Sequence, residues 1–187
     1  MGKTYRDVLL ISEDYIKSES MLDDNTSGKF LLTAIKLSQD VELRSVTGRC
    51  LLEKLQQMVF DREIDNIDNM HYKDLIDVYI QPFLLYQVLS EIIIPVSYKM
   101  SNFGLMRADD EKDYAVNNGE VNLVREYYTN KANVYKKRLQ TYLCSNKNLF
   151  PELEDCCDTN LYSSQSAGIW LGGPRGKMVP KGCCDKC

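Results

Sequence analysis

Between residues 29 and 144, apolar positions recur at spacings of three and four, the pattern of helices that each bury one face. Phe30, Leu31, Ala34, Ile35 and Ser38 share a face in a helix expected over 29–43, with Ser27 as its cap. Val46-Thr47-Gly48 marks a turn, and Thr47 is placed to cap a second helix over 49–60. Leu51, Leu52, Leu55, Met58 and Val59 form its buried stripe. Residues 61–69 are polar and read as a loop. A short helix over 71–79 then yields to a new one at Pro82, because proline is tolerated in a first helical turn. That helix, 82–100, is apolar nearly all round, which predicts the central position, and Pro95 predicts a kink within it. Asn102 to Gly104 ends it, and 105–118 read as a charged loop. The longest helix opens at Asn118 or Gly119 and runs to Cys144. Its stripe is Val124, Tyr128, Ala132, Tyr135, Leu139 and Tyr142, close to the 3.5-residue period of bundle packing.

The ends of the chain read differently. Residues 1–11 look like an extended arm, with Val8, Leu9, Leu10 and Ile11 as a candidate strand, and Ser12 as the cap of a short helix through Ser18. Residues 23–28 are rich in turn formers. The tail, 145–187, holds five of the ten glycines, three of the five prolines and five of the seven cysteines. Such a segment lacks the apolar content to offset its ordering entropy. It nevertheless carries Ile169-Trp170-Leu171, with the only tryptophan. The expected architecture is all-α: a bundle of about five helices with an extended, Gly/Cys-rich C-terminal arm. The expected division is an N-terminal arm and short helix (1–26), a helical core (27–144) and a C-terminal interaction arm (145–187). Ile169, Trp170 and Leu171, with Arg175 and Lys177, are the candidate partner-binding residues of that arm.

Charge and chemistry narrow the function classes. The formal net charge is −4 and the pI about 5.1, so the surface is not built to grip phosphates. The opening MGKTYRDVLL lacks the apolar run of a signal peptide, and Arg6 breaks the myristoylation pattern. The apolar run 82–96 is interrupted by Gln87, Ser90 and Glu91 and is too short to span a bilayer, so no membrane partner is expected. The single histidine, His71, has no nucleophile implied beside it and reads as a surface residue, so no enzyme activity, catalytic residue or cofactor is expected. Gly172-Gly173-Pro174-Arg175-Gly176-Lys177 fails as a phosphate loop because Leu171 and Met178 stand at required Gly and Ser/Thr positions. The stretch from Asp61 fails as a calcium loop at Asn66 and Tyr72. Cys156, Cys157, Cys183, Cys184 and Cys187 are a weak zinc candidate, since only Cys184 and Cys187 have a C-x-x-C spacing; free or late-oxidising thiols are the preferred reading. Cys50 and Cys144 fall at helical positions as small buried hydrophobes.

The order of pieces carries a resemblance. Leu31-Leu32-Thr33-Ala34-Ile35-Lys36-Leu37-Ser38-Gln39-Asp40, then Val46-Thr47-Gly48 and Leu51-Leu52-Glu53-Lys54-Leu55, are followed by Tyr79-Ile80-Gln81-Pro82-Phe83-Leu84-Leu85-Tyr86. Ser97-Tyr98-Lys99, Asn102-Phe103-Gly104, Tyr127-Tyr128, Tyr135-Lys136-Lys137-Arg138-Leu139 and Gly168-Ile169-Trp170-Leu171-Gly172-Gly173 complete the series. From Ser12 to Gly173 this order resembles head-to-tail connector (adaptor) proteins of tailed bacteriophages, closest to those of crAss-like and related Bacteroidales phages. The resemblance implies a structural virion protein at the head–tail junction, assembled in the bacterial host cytoplasm. It implies a homo-oligomeric ring of about twelve copies, with the portal protein above and further tail or ring proteins below. It also implies that double-stranded DNA passes through without specific binding. Asp61, Glu63, Asp65, Asp109, Asp110, Glu111 and Asp113 are then candidates to face the channel or an exposed rim, where like charge keeps DNA from adhering. The alternative is a small cytoplasmic helical binding or regulatory protein whose Cys-rich tail binds metal.

Overall fold

The computed structural model describes residues 4–23, 25–101, 104–107 and 118–155; their architecture is all-α with one short β-hairpin. The N-terminal segment forms no strand. After a 3₁₀ turn, Tyr5–Asp7, it is extended at Val8, bends at Leu10 and Ile11 and buries both in the core. Four of its backbone groups bond to three glutamine side chains. Gln39 accepts from the Leu10 amide and donates to the Val8 carbonyl, both at 2.9 Å. Gln56 donates to the carbonyls of Val8 and Arg6 at 3.0 and 3.2 Å, and Gln81 to that of Leu10 at 3.3 Å. A lone segment with side-chain partners satisfies its polar groups without a neighbouring strand. The first helix, α1 (Glu13–Ser18), begins as expected, with the Ser12 hydroxyl accepting from the Tyr15 amide at 3.1 Å.

Helix α2 (Gly28–Leu37) does not stop near residue 43. It continues through a π-helical segment, Ser38–Leu43, into α3 (Arg44–Phe60). The expected turn is real but compressed into one residue, Gly48, with φ 75° and ψ 169°. That conformation suits glycine because it has no Cβ. Thr47 does not cap the second half. Its buried hydroxyl donates back to the Leu43 carbonyl at 3.1 Å. Ser27 occupies the cap position of α2 without a side-chain cap bond.

Pro82 likewise starts no new helix. A 3₁₀ turn (Ile67–Asn69), α4 (Met70–Asp74), a π-helical segment (Leu75–Ile80) and α5 (Gln81–Ser97) form one continuous helix. A proline inside a helix lacks an amide proton and crowds the carbonyl four residues back; here a wider π-helical segment ends two residues before Pro82. The helix Ile67–Ser97 is long and apolar enough to cross a membrane by length and composition. One apolar face of it serves the core: Leu75, Ile80, Phe83, Leu84 and Val88 are completely buried, whereas Ile67, Met70, Val78 and Val96 are exposed. The helix ends two residues after Pro95. Tyr98–Ser101 (β1) and Gly104–Arg107 (β2) then pair antiparallel, with Tyr98 opposite Arg107 and Ser101 opposite Gly104. Part of the expected helix end and charged loop is therefore a hairpin.

Helix α6 (Asn118–Ser145) packs along α5, while α2 also packs on α5. The α5–α6 seam is antiparallel and repeats every seven residues. Tyr79 stacks on Tyr142 with ring centroids 3.9 Å apart, and Tyr86 on Tyr135 at 5.1 Å. One repeat further, Ile93 and Tyr128 line the same groove. Seven residues before Tyr79, Tyr72 meets Phe150, which lies beyond the end of α6, edge-on at 5.5 Å. Phe150 is fully buried, and the Tyr72 hydroxyl donates to Glu152 of α7 (Glu152–Asp155) at 2.9 Å. The core thus continues past Cys144, where the sequence pattern had closed it, and also takes in Leu10, Ile11 and Ile16 from the N-terminal segment.

Candidate interaction surfaces

Beyond the core, the described chain presents charged and apolar faces. The first lies between α3 and α5. Asp61, Glu63, Asp65, Asp68, Asp74 and Asp77 are all exposed there. The loop is folded tightly on itself: the Asn66 amide and the Asn69 side chain both donate to the Glu63 carbonyl, at 3.1 and 2.9 Å. Lys73 pairs with Asp65, and this hydrogen bond, then the Asp65 charge, raises the Lys73 pKa. Ile67 is 89% exposed and Met70 56% exposed on the same connection. Beside it opens a groove of about 620 Å³, with an apolar floor that includes Leu10, Leu32, Val59 and Ile76, and Glu13, Asp65 and Asp77 among its polar lining. We call this face the acidic corner.

The second face is the outer side of α6. Leu123, Tyr127 and Val134 follow one another at spacings of four and seven and are 66%, 56% and 64% exposed. Exposed cations accompany them: Lys131, which lies over the Tyr127 ring at 5.6 Å; Lys137; and Arg138, whose guanidinium lies over Tyr79 at 5.8 Å. Lys136 turns inward and is paired with Glu42 at 2.8 Å. A third, smaller row, Phe30, Leu37 and Val41, runs along α2 and the π-helical segment that follows it.

The expected sites distribute unevenly over these faces. Asp61, Glu63 and Asp65 belong to the acidic corner. Asp109, Asp110, Glu111 and Asp113, the arm residues Ile169, Trp170, Leu171, Arg175 and Lys177, and the cysteines at 156, 157, 183, 184 and 187 lie outside the described residues. Among the described residues, no group of three or more His, Cys, Asp or Glu side chains is placed to hold a metal ion. His71 is not a bare surface residue. It is half-buried, 4.2 Å from the Tyr72 ring and 5.8 Å from that of Phe150. Cys50 and Cys144 are not plain hydrophobes either: both are half-buried and disulfide-bonded. Sequence reasoning missed the α6 outer row because it followed one stripe per helix. Val124, which it assigned to the core, is 47% exposed, whereas Val121 and Leu143 are buried.

Residues 43–162, well over half of the chain, match the family described as "Family of unknown function (DUF6712)", and the chain belongs to that family. The matched span takes in α3 to α7 and the seam, and leaves out the N-terminal segment and α2. No curated protein and no solved structure matches the chain.

Proposed function

We propose that this chain is a structural subunit of the head–tail junction of a tailed bacteriophage. It is repeated as a ring of about twelve copies between the portal and the next tail component, and it continues the channel for double-stranded DNA. The resemblance in the order of its sequence motifs supports this reading. The observation that carries it furthest is the pair of separate faces, the acidic corner and the outer side of α6. Each combines exposed apolar side chains with charge, on a subunit whose core is already filled. Exposed apolar patches rimmed by polar residues mark contact surfaces. Two different patches on one chain suit contacts between unlike faces, which generate rings when the rotation closes. Electron microscopy of particles produced with this chain should show density for it as a ring directly below the portal. Particles that form normal necks without the chain would overturn the reading.

A further inference from the structure

We infer that the acidic corner of one copy of this chain docks against the outer face of α6 of another copy, head to tail. This rests on the ring reading and supplies it with a contact. Charge is the first argument. Residues 61–77 carry six carboxylates against two cations, Arg62 and Lys73, and Lys73 is already paired with Asp65. The α6 face answers with Lys131, Lys137 and Arg138, all exposed. Apolar exposure is the second. Ile67 and Met70 on the corner, and Leu123, Tyr127 and Val134 on α6, stand in water in the isolated chain, and contact between the two faces removes both sets from it. Position is the third. The seam pairs Tyr79 with Tyr142 and Tyr86 with Tyr135, so the helix running on from Ile67 and Met70 starts at one end of it, and Leu123 and Tyr127 lie at the other. One copy cannot bring Ile67 and Met70 to Leu123 and Tyr127 by itself; two copies can. The assignment moves Asp61, Glu63 and Asp65 from the channel wall to the contact between subunits.

Charge reversal tests this on the full chain. Lys131→Glu with Lys137→Glu makes one variant, and Asp61→Lys, Glu63→Lys and Asp68→Lys together the other, which turns the corner net positive. All five positions are exposed, so both variants should keep the helical circular dichroism spectrum of the parent. In sedimentation experiments the parent chain should self-associate, and more weakly as salt is raised. Each variant alone should associate about 10- to 100-fold more weakly, because its contact joins like charges. An equal mixture of the two should recover the parent's association, since every junction again joins unlike charges. A parent chain that stays monomeric at every concentration overturns the inference. So does a corner variant that associates as tightly as the parent, which would mean that two α6 faces pair with each other. Association that both variants retain but that is lost on removing residues 156–187 would assign the contact to the tail and also overturn it. If the variants build rings in particles as well as the parent does, this contact is wrong while the ring reading stands. If no ring is seen even with the parent chain, the ring reading itself fails.

Discussion

Single side chains do work here that composition does not announce. Gln39 is 1% exposed and makes two hydrogen bonds to the N-terminal segment, one as acceptor and one as donor. Gln39→Leu keeps the size but strands the Leu10 amide, while the Val8 carbonyl keeps its bond from Gln56. The expected loss is about 1–3 kcal/mol by denaturant unfolding, because a buried group left without a partner costs more than a hydrogen bond contributes. Tyr72 offers a pH test. Burial first, then the hydrogen bond to Glu152, push its pKa from the ordinary 10.0 up to about 12. Below pH 10 both folded and unfolded chains hold the proton, and its contribution is fully present. Above that the unfolded chain ionises first, so stability falls as pH rises towards 12. Tyr72→Phe should cost about 1–2 kcal/mol at neutral pH and make the alkaline decline shallower than in the parent chain. Tyr15, Tyr86 and Tyr142 are also raised, chiefly by burial, so some decline persists in the variant. An identical slope in both proteins would contradict the assignment to Tyr72.

At the scale of elements, helix faces were legible and helix ends were not. The stripe Leu51, Leu52, Leu55 and Met58 is buried as its spacing predicts, because a core-facing helix writes its 3.6-residue period into the sequence. The breaks expected near residues 43 and 82 are absent because π-helical segments, Ser38–Leu43 and Leu75–Ile80, carry the helices through. Such turns have no strong sequence mark. The hairpin at Tyr98 was hidden for a related reason: Pro95 sits inside a helix it does not immediately end. Gly48 is the break that could be read, since φ of 75° is a glycine conformation and Val46-Thr47-Gly48 was recognisable as a turn. A Cβ at Gly48 would meet no atom within 4 Å, so the cost of Gly48→Ala is one of backbone strain alone. We expect it to destabilise the fold by about 1–3 kcal/mol while leaving helix content unchanged. A neutral Gly48→Ala in thermal unfolding would show that the two parts of α3 on either side of Gly48 can meet at another angle.

At the scale of the whole molecule, the boundary between core and tail decides what a truncation does. Sequence composition placed that boundary at Ser145, because glycine, proline and cysteine become frequent after it. Packing places core residues beyond it. Phe150 is completely buried, Leu153 packs against the core, and Glu152 accepts from Tyr72. Composition averages over the segment and so misses one aromatic ring that belongs to the bundle. The functional faces were hidden for the converse reason. Leu123 and Val134 look like core residues in a helix, and only the packing of α5 on the opposite side of α6 shows that they face outward. Two truncations separate core from tail, both measured under reducing conditions so that the disulfides of Cys50 and Cys144 do not enter. Removing 145–187 takes Phe150 out of the core and should destabilise the chain by about 3–5 kcal/mol, in the range of losing a large aromatic side chain. Removing 156–187 leaves every residue of the described core in place and should shift the melting temperature little. This shorter cut removes Ile169, Trp170 and Leu171, so it should leave a folded helical subunit that enters particles poorly. If the chain ending at Asp155 unfolds as readily as the one ending at Cys144, the tail belongs to the fold. If it is folded and enters particles as well as the full chain does, the tail is not an assembly arm.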